Sequence, residues 1–371
     1  MAFTNFAALT DEQKTVWSRR FWRHVREKAF VGKFLGTDEN SMIHRVTELK
    51  KDEKGTRAVM TLIHDLQNDG TAGDRFLEGN EEAMTSSDQV IRIDQLRHAV
   101  RSKGRMADQK SVVTFRNTAM NNLSYWHAER WDQMAFLSLS GVSYAFYPNG
   151  GHARPATSDL QYLEFAEDVT PPSANRHFSW DGTAGDFRAG DTSAVTTDDK
   201  ISYGMIVEAK RLAYDKYIRP LREKAGVEWF NMFVTPRAMA QLKLDPDFKS
   251  AYQNALARTP DNPIFKGTDV VYLDGVAIHT YRQVYNNLKL PDGQRWGSSG
   301  DVNGSRILLC GAQALGMADI GQAYWDEKKF DYNNQPGIAV GKIAGYTKPR
   351  FYNNYDQSTE DYGVLCIDTA L

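Results

Sequence analysis

The segment from residue 56 to residue 141 constrains the fold most, because its pattern predicts a long two-stranded arm followed directly by one long helix. Val59, Thr61 and Ile63 alternate with the residues between them in a β-branched run, which is typical of a half-buried strand. Residues 90–93 form the returning strand, and the polar stretch between the two strands is far too long for a tight hairpin turn. Because an isolated two-stranded ribbon is marginally stable in water, we expect this arm to rest on a neighbouring copy of the chain.

The helix that follows is predicted over residues 108–139. Asp108 is a candidate N-cap and Gly141 a candidate C-cap. Apolar residues recur between them with a helical period that is broken only at Arg130. At a rise of roughly 1.5 Å per residue, the helix would be about 48 Å long. This length indicates either the backbone of a thin, plate-like subunit or a long core helix in a large domain, and the segment alone leaves both open.

Composition sets the outer limits of the fold. The chain has 371 residues and a net charge of -2. It is long enough for two or three subdomains, since a single core stops growing near ~250–300 residues. No apolar run approaches the ~18–20 residues that span a membrane, and the N-terminus lacks a signal peptide, so we expect synthesis in a cytoplasm and no membrane partner. Cys310 and Cys366 lie in apolar, strand-like runs, which favours buried free thiols over a disulfide.

A basic segment near the N-terminus has two interpretations. Between residues 19 and 33 the chain carries six Arg and Lys residues against the single acid Glu27, interleaved with aromatic and aliphatic side chains. The charges indicate contact with phosphate or with an acidic partner. The aromatic residues indicate instead an amphipathic helix that docks on a neighbouring subunit through Trp17, Phe21 and Trp22, and we favour this second interpretation.

The second half of the chain predicts an α+β fold, because helices and antiparallel hairpins come in blocks. Residues 142–201 read as an irregular insertion rich in turn-forming residues. The hexapeptide Asp-Gly-Thr-Ala-Gly-Asp occurs at residues 69–74 and 181–186, and we interpret both copies as turns because neither has the full spacing of a calcium loop. The further elements predicted are a helix over 203–225 that Pro220 kinks or ends early, strands over 229–234, 269–273, 276–280 and 306–310, helices beginning at 235 and 245, and closing strands over 338–343 and 363–368.

Motifs for chemistry are missing from the sequence. No phosphate-binding glycine loop and no nucleophile elbow occurs, and His127 has no second histidine four residues later as a zinc-protease helix requires. We therefore predict no catalytic residues, no cofactor and no metal site.

The order of elements and several short motifs resemble the Hong Kong 97-type major capsid proteins of tailed bacteriophages. The motifs are Leu-Glu-Gly-Asn-Glu-Glu at residues 77–82 followed by residues 90–95 and 104–106, and the closing segments 346–351 and 361–370. The resemblance covers about residues 17–370 and is weakest over 144–200. It implies a capsid fold with residues 1–45 as N-terminal arm, 46–105 as extended loop, 106–141 with 335–371 as peripheral domain containing a spine helix, 142–201 as insertion and 202–334 as axial domain.

The resemblance also implies function. The chain would assemble in the host cytoplasm, as pentamers and hexamers of itself, into the icosahedral shell of a virion that encloses double-stranded DNA. Portal, scaffolding or decoration proteins and non-specifically contacted DNA would be its partners. Since the arm sequence begins close to Met1, we expect any scaffolding protein to be separate. The candidate subunit-interface residues are Trp17, Phe21, Trp22, Arg23, Val59, Ile63, Phe76, Glu78, Glu81, Ile91, Ile93 and Arg97.

Two other functions compete with this one. Encapsulin nanocompartments share the fold but enclose enzymes. An α+β hydrolase with its carboxylates in residues 144–200 belongs to a different class. Electron microscopy of the purified protein, followed by analysis of what any shell contains, separates the three.

Overall fold

The computed structural model describes residues 11–46, 55, 57–63, 66, 68–84, 86–109, 115–223, 226–255, 270–353 and 356–371. These residues form six α-helices: α1 (Asp11–Lys28), α2 (Arg105–Gln109), α3 (Phe115–Ser140), α4 (Tyr203–Asp215), α5 (Pro236–Leu244) and α6 (Pro246–Ala255). They also form seventeen strands: β1 (Leu35–Gly36), β2 (Ile43–Val46), β3 (Arg57–Ile63), β4 (Ser86–Arg92), β5 (Asp94–Arg101), β6 (His177–Asp181), β7 (Asp186–Ala189), β8 (Leu221–Arg222), β9 (Glu228–Val234), β10 (Val270–Leu273), β11 (Val276–Thr280), β12 (Gly304–Cys310), β13 (Leu315–Phe330), β14 (Gln335–Thr347), β15 (Arg350–Asn353), β16 (Ser358–Asp361) and β17 (Val364–Ala370).

A five-stranded sheet with the order β1-β2-β13-β14-β5 forms the first layer. Its centre is the long β13–β14 hairpin, in which successive residues face opposite sides. Met317, Val340 and Tyr346 face one side and pack with α1 and α3 in the largest apolar core. Ala318 faces the other side, where it packs with residues of β3 and β4. The sheet therefore separates a helical layer from the extended arm.

The base of the arm rests on its own subunit, which corrects the expectation that the arm needs a neighbour for support throughout. Strands β3 and β4 pair antiparallel, with Val59 opposite Val90. The opposite side of this ribbon buries Met60 and Ile91 against the sheet. Two glycines make the close approach possible, because a Cβ at Gly345 would collide with the backbone oxygen of Arg92 and one at Gly316 would lie 3.2 Å from Ile91 Cδ1.

The long helix is confirmed at its C-terminal end but not at its N-terminal end. Helix α3 has 26 residues, which makes it about 39 Å long. Its last residue is Ser140. Gly141 follows with a φ of +66° and donates its N–H to the Ser138 carbonyl at 3.2 Å, so it forms the left-handed cap that the sequence predicted. Asp108 is not an N-cap, because it lies inside the separate short helix α2. Residues 110–114 lie outside the described residues.

A second, eight-stranded sheet has the order β10-β11-β9-β12-β17-β6-β7, with β8 paired to β9. Helices α4, α5 and α6 pack on it in a second apolar core. Strands β12 and β17 are buried along their whole length, as is expected of central strands that are covered on both faces. The α+β class is confirmed, although β9–β11 and β6–β17 pair in parallel.

The sheet memberships differ from three of the expected boundaries. Strand β17 lies in the second sheet, whereas the peripheral unit was expected to include residues 335–371. Strand β13 pairs with β14 in the first sheet and lies outside the axial unit of residues 202–334. Residues 142–201 are irregular only in part, because β6 and β7 extend the second sheet.

Most local elements of the second half are confirmed. Thr235 caps α5 by accepting the N–H of Ala238, and β10 and β11 form a hairpin across residues 274–275. Residues 181–186 form the turn between β6 and β7, and Cys310 and Cys366 are buried and free. The helix predicted over 203–225 is wrong beyond Asp215, because the chain turns five residues before Pro220 and continues as β8. No helix among the described residues is long and apolar enough to cross a bilayer.

Candidate assembly surfaces

The inner face of α1 is part of the subunit core. Phe21, Trp22 and Val25 are buried against α3 and β13. The Trp22 ring stacks on Trp131 of α3, with 4.6 Å between centroids, and Trp17 stacks on Trp325 of β13 at 5.6 Å. This placement corrects the expectation that Phe21 and Trp22 dock the helix on a neighbour. Their apolar area already has a partner within the chain.

The outer face of α1 is cationic. Arg19, Arg20, Arg23 and Arg26 are all exposed. The only ion pair described on this helix joins His24 to Glu27, with 3.7 Å between Nδ1 and Oε2. Among the described residues, therefore, no carboxylate neutralises the arginine row.

A buried charge cluster lies directly beneath α1. Lys342 of β14 pairs with Asp319 of β13, and Arg45 Nη2 lies 2.6 Å from the other carboxylate oxygen of Asp319. The Lys342 Nζ also lies 4.3 Å from the centroid of the Trp22 ring. Burial lowers the pKa of Lys342, against the opposing effect of Asp319. Because charges are costly away from water, the pairing with Asp319 compensates for the burial of Lys342 beneath α1.

His127 of α3 lies beside this cluster and is kept neutral. Burial lowers the pKa of His127 to about 4, and the positive charge of Lys342 acts in the same direction. The aromatic rings of Phe21, Trp22 and Trp131 surround it at centroid distances of 6.0, 6.0 and 6.2 Å. Protonation of His127 would place a second cation in this closed space, so acid should loosen the packing of α1.

Asp132 connects three parts of the molecule. Its carboxylate accepts the backbone N–H groups of Phe30 and Val31, each at 3.0 Å, and the hydroxyl of Tyr281. Burial raises the pKa of Asp132 to about 6, although these hydrogen bonds oppose the shift. Asp132 thereby links three parts of the fold: the segment after α1, the spine helix α3 and the loop after β11.

The distal part of the extended loop exposes large apolar side chains. Phe76, Leu77 and Met84 are 84%, 61% and 76% exposed. Residues 68–84 carry five acids and the single base Arg75. Glu81 accepts the N–H of Gly79 at 2.7 Å, so part of the acidic set shapes the loop itself. A cluster of large exposed apolar side chains on an acidic loop is typical of a protein interaction surface.

The remaining interface candidates divide by exposure. Val59 on β3, Glu78 and Glu81 in the loop, Arg23 on α1 and Arg97 on the edge strand β5 are exposed, whereas Trp17 is half-buried. Ile91 and Ile93 are buried in the contact between ribbon and sheet, so they are core residues and not surface ones. The side chain of Ile63 lies outside the described residues.

Sequence reasoning missed a buried ion pair that joins the spine helix to the second sheet. Arg306 of β12 donates to both carboxylate oxygens of Asp368 on β17, at 2.7 and 3.0 Å, and to the carbonyl of Ser140 at the end of α3, at 3.0 Å. His177 adds a contact of 2.7 Å to the same carboxylate. No local motif could reveal this group, because its members lie far apart in the sequence. Among the described residues, no three His, Cys, Asp or Glu side chains converge as a metal site would require.

The comparisons with known proteins agree with one another. A family model described as phage capsid protein matches residues 5–371. The major capsid protein of Pseudomonas phage KPP25 is 53% identical over 370 residues, which cover 99% of this chain and 98% of that protein. The capsid of Ralstonia phage GP4 is similar in structure, with a TM-score of 0.75, 25% identity and coverage of 92% of this chain and 91% of that one. The capsid of cyanophage Pam1, at 17% identity and a TM-score of 0.69, shows the same fold over 100% of this chain and 96% of that one.

Proposed function

Because this chain belongs to the phage capsid protein family and is a major capsid protein of the Hong Kong 97-type fold, we propose that copies of it assemble into the icosahedral shell that encloses the double-stranded DNA of a tailed phage. The copies are arranged as pentamers and hexamers, assembled in the host cytoplasm. A portal protein and scaffolding or decoration proteins are further partners. The chain acts as a structural subunit without catalytic residues.

The exposed end of the extended loop carries this proposal. The base of the ribbon is fixed to the subunit by Met60 and Ile91, whereas Phe76 and Leu77 at the far end are exposed. An element that is anchored at one end and apolar at the other suits a contact in which one surface patch meets a different patch on the next copy. Such heterologous contacts generate closed rings, as capsomers require.

Electron microscopy of the purified protein tests the proposal. We expect closed shells of uniform diameter, and nucleic acid inside particles isolated from infected cells. Shells filled with an enzyme would indicate a nanocompartment instead. Monodisperse small particles that form no shell at any concentration would contradict the proposal.

A further inference from the structure

We propose that the exposed arginine row of α1, formed by Arg19, Arg20, Arg23 and Arg26, binds the phosphates of the packaged DNA and so marks the face of the subunit that points to the lumen. This inference rests on the proposed function, because it assigns one surface of the shell subunit to the enclosed genome.

The orientation of the row is fixed by the buried side of the same helix. Phe21, Trp22 and Val25 hold α1 against the core, so the arginines point away from it. Guanidinium groups remain charged at any physiological pH and match the geometry of phosphate oxygens. Glu27, the one acid among residues 16–33, is engaged with His24, so no described carboxylate competes for the row.

The two faces of the first sheet differ in charge, which decides which face suits a polyanion. The helical layer with its arginine row lies on one side of the β13–β14 hairpin, and the ribbon that leads into the acidic loop lies on the other. In a shell that is one subunit thick, one of these faces borders the lumen. DNA would be repelled by the five acids of the loop and attracted by the row.

Two arginines beside α3 also lie close to each other. Arg130 of α3 and Arg154 both donate to Gln133 Oε1, at 2.7 and 2.8 Å, so two guanidinium groups share one neutral acceptor. Burial lowers the pKa of Arg154 to about 10, and the charge of Arg130 contributes to this shift. The nearby acid Glu129 is engaged by Arg282 at 3.3 Å. This pair is a second position among the described residues where guanidinium groups lie close together without an ion pair to a carboxylate.

Contact with phosphate explains the row better than contact with another copy of the chain. Interfaces between proteins are usually anchored by buried aromatic side chains, but Phe21 and Trp22 of α1 are already buried in its own subunit and Trp17 stacks on Trp325. What remains outside is a set of long cationic side chains, whose exposed ion pairs with carboxylates contribute little. On DNA the same side chains each release counterions, and the contacts add up without sequence preference.

The first experiment measures binding of a short DNA duplex to unassembled full-length subunits between 50 and 200 mM salt. The triple variant Arg19→Gln, Arg23→Gln, Arg26→Gln should lower the slope of log K against log salt by about 2.7, because each phosphate that an arginine neutralises adds roughly 0.9 to the slope. A matched control, Arg237→Gln, Lys243→Gln, Lys249→Gln, removes three exposed charges from α5 and α6 and should leave the slope unchanged. Replacing the same three α1 arginines by lysine should retain it.

The second experiment tests orientation with a polymer-linked maleimide too large to enter a closed shell. Both native cysteines are buried and should not react. Arg23→Cys should be labelled by this reagent in free subunits and protected in shells, whereas a small maleimide that can diffuse into the shell should label it in both. Equal labelling of Arg23→Cys by the polymer-linked reagent in the two states would overturn the lumenal assignment.

The outcomes separate this inference from the proposed function. Normal shells with a reduced salt slope in the glutamine variant support the inference, and an unchanged slope refutes it. Folded glutamine subunits that form no shells would show that the row is a contact between copies, which also refutes it. Native protein that forms no shells would contradict the proposed function, while the duplex measurement would still decide whether the row binds phosphate.

Discussion

Helix α1 and the distal extended loop look alike in sequence, since each combines large apolar residues with a strong local charge, but their structures differ. The tryptophans of α1 pack against Trp131, Trp325 and Lys342 of the same chain. Phe76 and Leu77 of the loop are largely exposed in the described part of their own subunit. An apolar side chain therefore contributes to folding when its own subunit buries it and to assembly when a neighbouring copy does.

The largest effect should come from removing the loop. Replacing residues 66–84 by a short Gly/Ser linker retains β3, β4 and their contact with the sheet, so the subunit should fold with normal stability but form no shells. Replacing the whole arm from residue 56 to residue 101 would also remove β5, which pairs with β14, and is a poorer test. Shells seen by electron microscopy after the shorter replacement would show that the loop is not needed for assembly. A loss of cooperative unfolding would show that the loop is needed for the fold of the subunit.

Truncating α1 should have the opposite consequence. Trp22→Ala should lower the free energy of unfolding of the unassembled subunit by about 3–5 kcal/mol, because a large buried side chain leaves a cavity between α1 and α3. Val16→Ala on the exposed side of the same helix is the control and should change it by less than about 0.5 kcal/mol. Denaturant titration of both variants measures the difference. Similar stabilities would show that α1 is not held by its own subunit.

Acid should affect α1 through two buried groups with opposite signs. The folded pKa of His127 is about 4 against an ordinary 6.5, so the unfolded chain binds the extra proton and stability falls as pH drops from about 6.5 to 4. The folded pKa of Asp132 is about 6 against 3.8, so the folded chain binds the extra proton and stability rises as pH drops from about 6 to 4. Each effect is about 3 kcal/mol, at 1.36 kcal/mol per pKa unit.

Two variants separate these contributions. Relative to the native chain, His127→Gln should gain stability on acidification between pH 6.5 and 4, and Asp132→Asn should lose it. The measurement is the free energy of unfolding at several pH values, compared as differences from native so that other titrating groups cancel. Shifts of the same sign in both variants would contradict the opposed roles.

The smallest effect concerns the contact between ribbon and sheet. Gly345→Ala places a methyl group against the Arg92 carbonyl and should destabilise the subunit by about 1–3 kcal/mol. Gly204→Ala in α4 is the matched control, because its Cβ would have space, and we expect it to be neutral or slightly stabilising. If the two variants melt alike in thermal denaturation, the ribbon does not rest on its own sheet.

Local features could be predicted from the sequence because neighbouring residues alone decide them. Gly141 ends the spine helix, since only a residue that tolerates a positive φ fits there. Thr235 followed by a proline begins α5, and residues 274–275 turn one strand into the next. The amphipathic pattern of residues 19–33 likewise predicted a helix with basic and apolar sides. The family resemblance rested on such short segments and was confirmed.

Only the tertiary structure decided what each apolar face touches. A hydrophobic pattern states that a side chain needs cover but not which chain supplies it, so Phe21, Trp22, Ile91 and Ile93 were wrongly expected at the subunit surface. Sheet membership was equally hidden, because β17 pairs with β12 across a long stretch of sequence. The buried groups of Asp132 with Tyr281 and of Arg306 with Asp368 form for the same reason. Their partners are brought together by packing, which depends on contacts between residues that are distant along the chain.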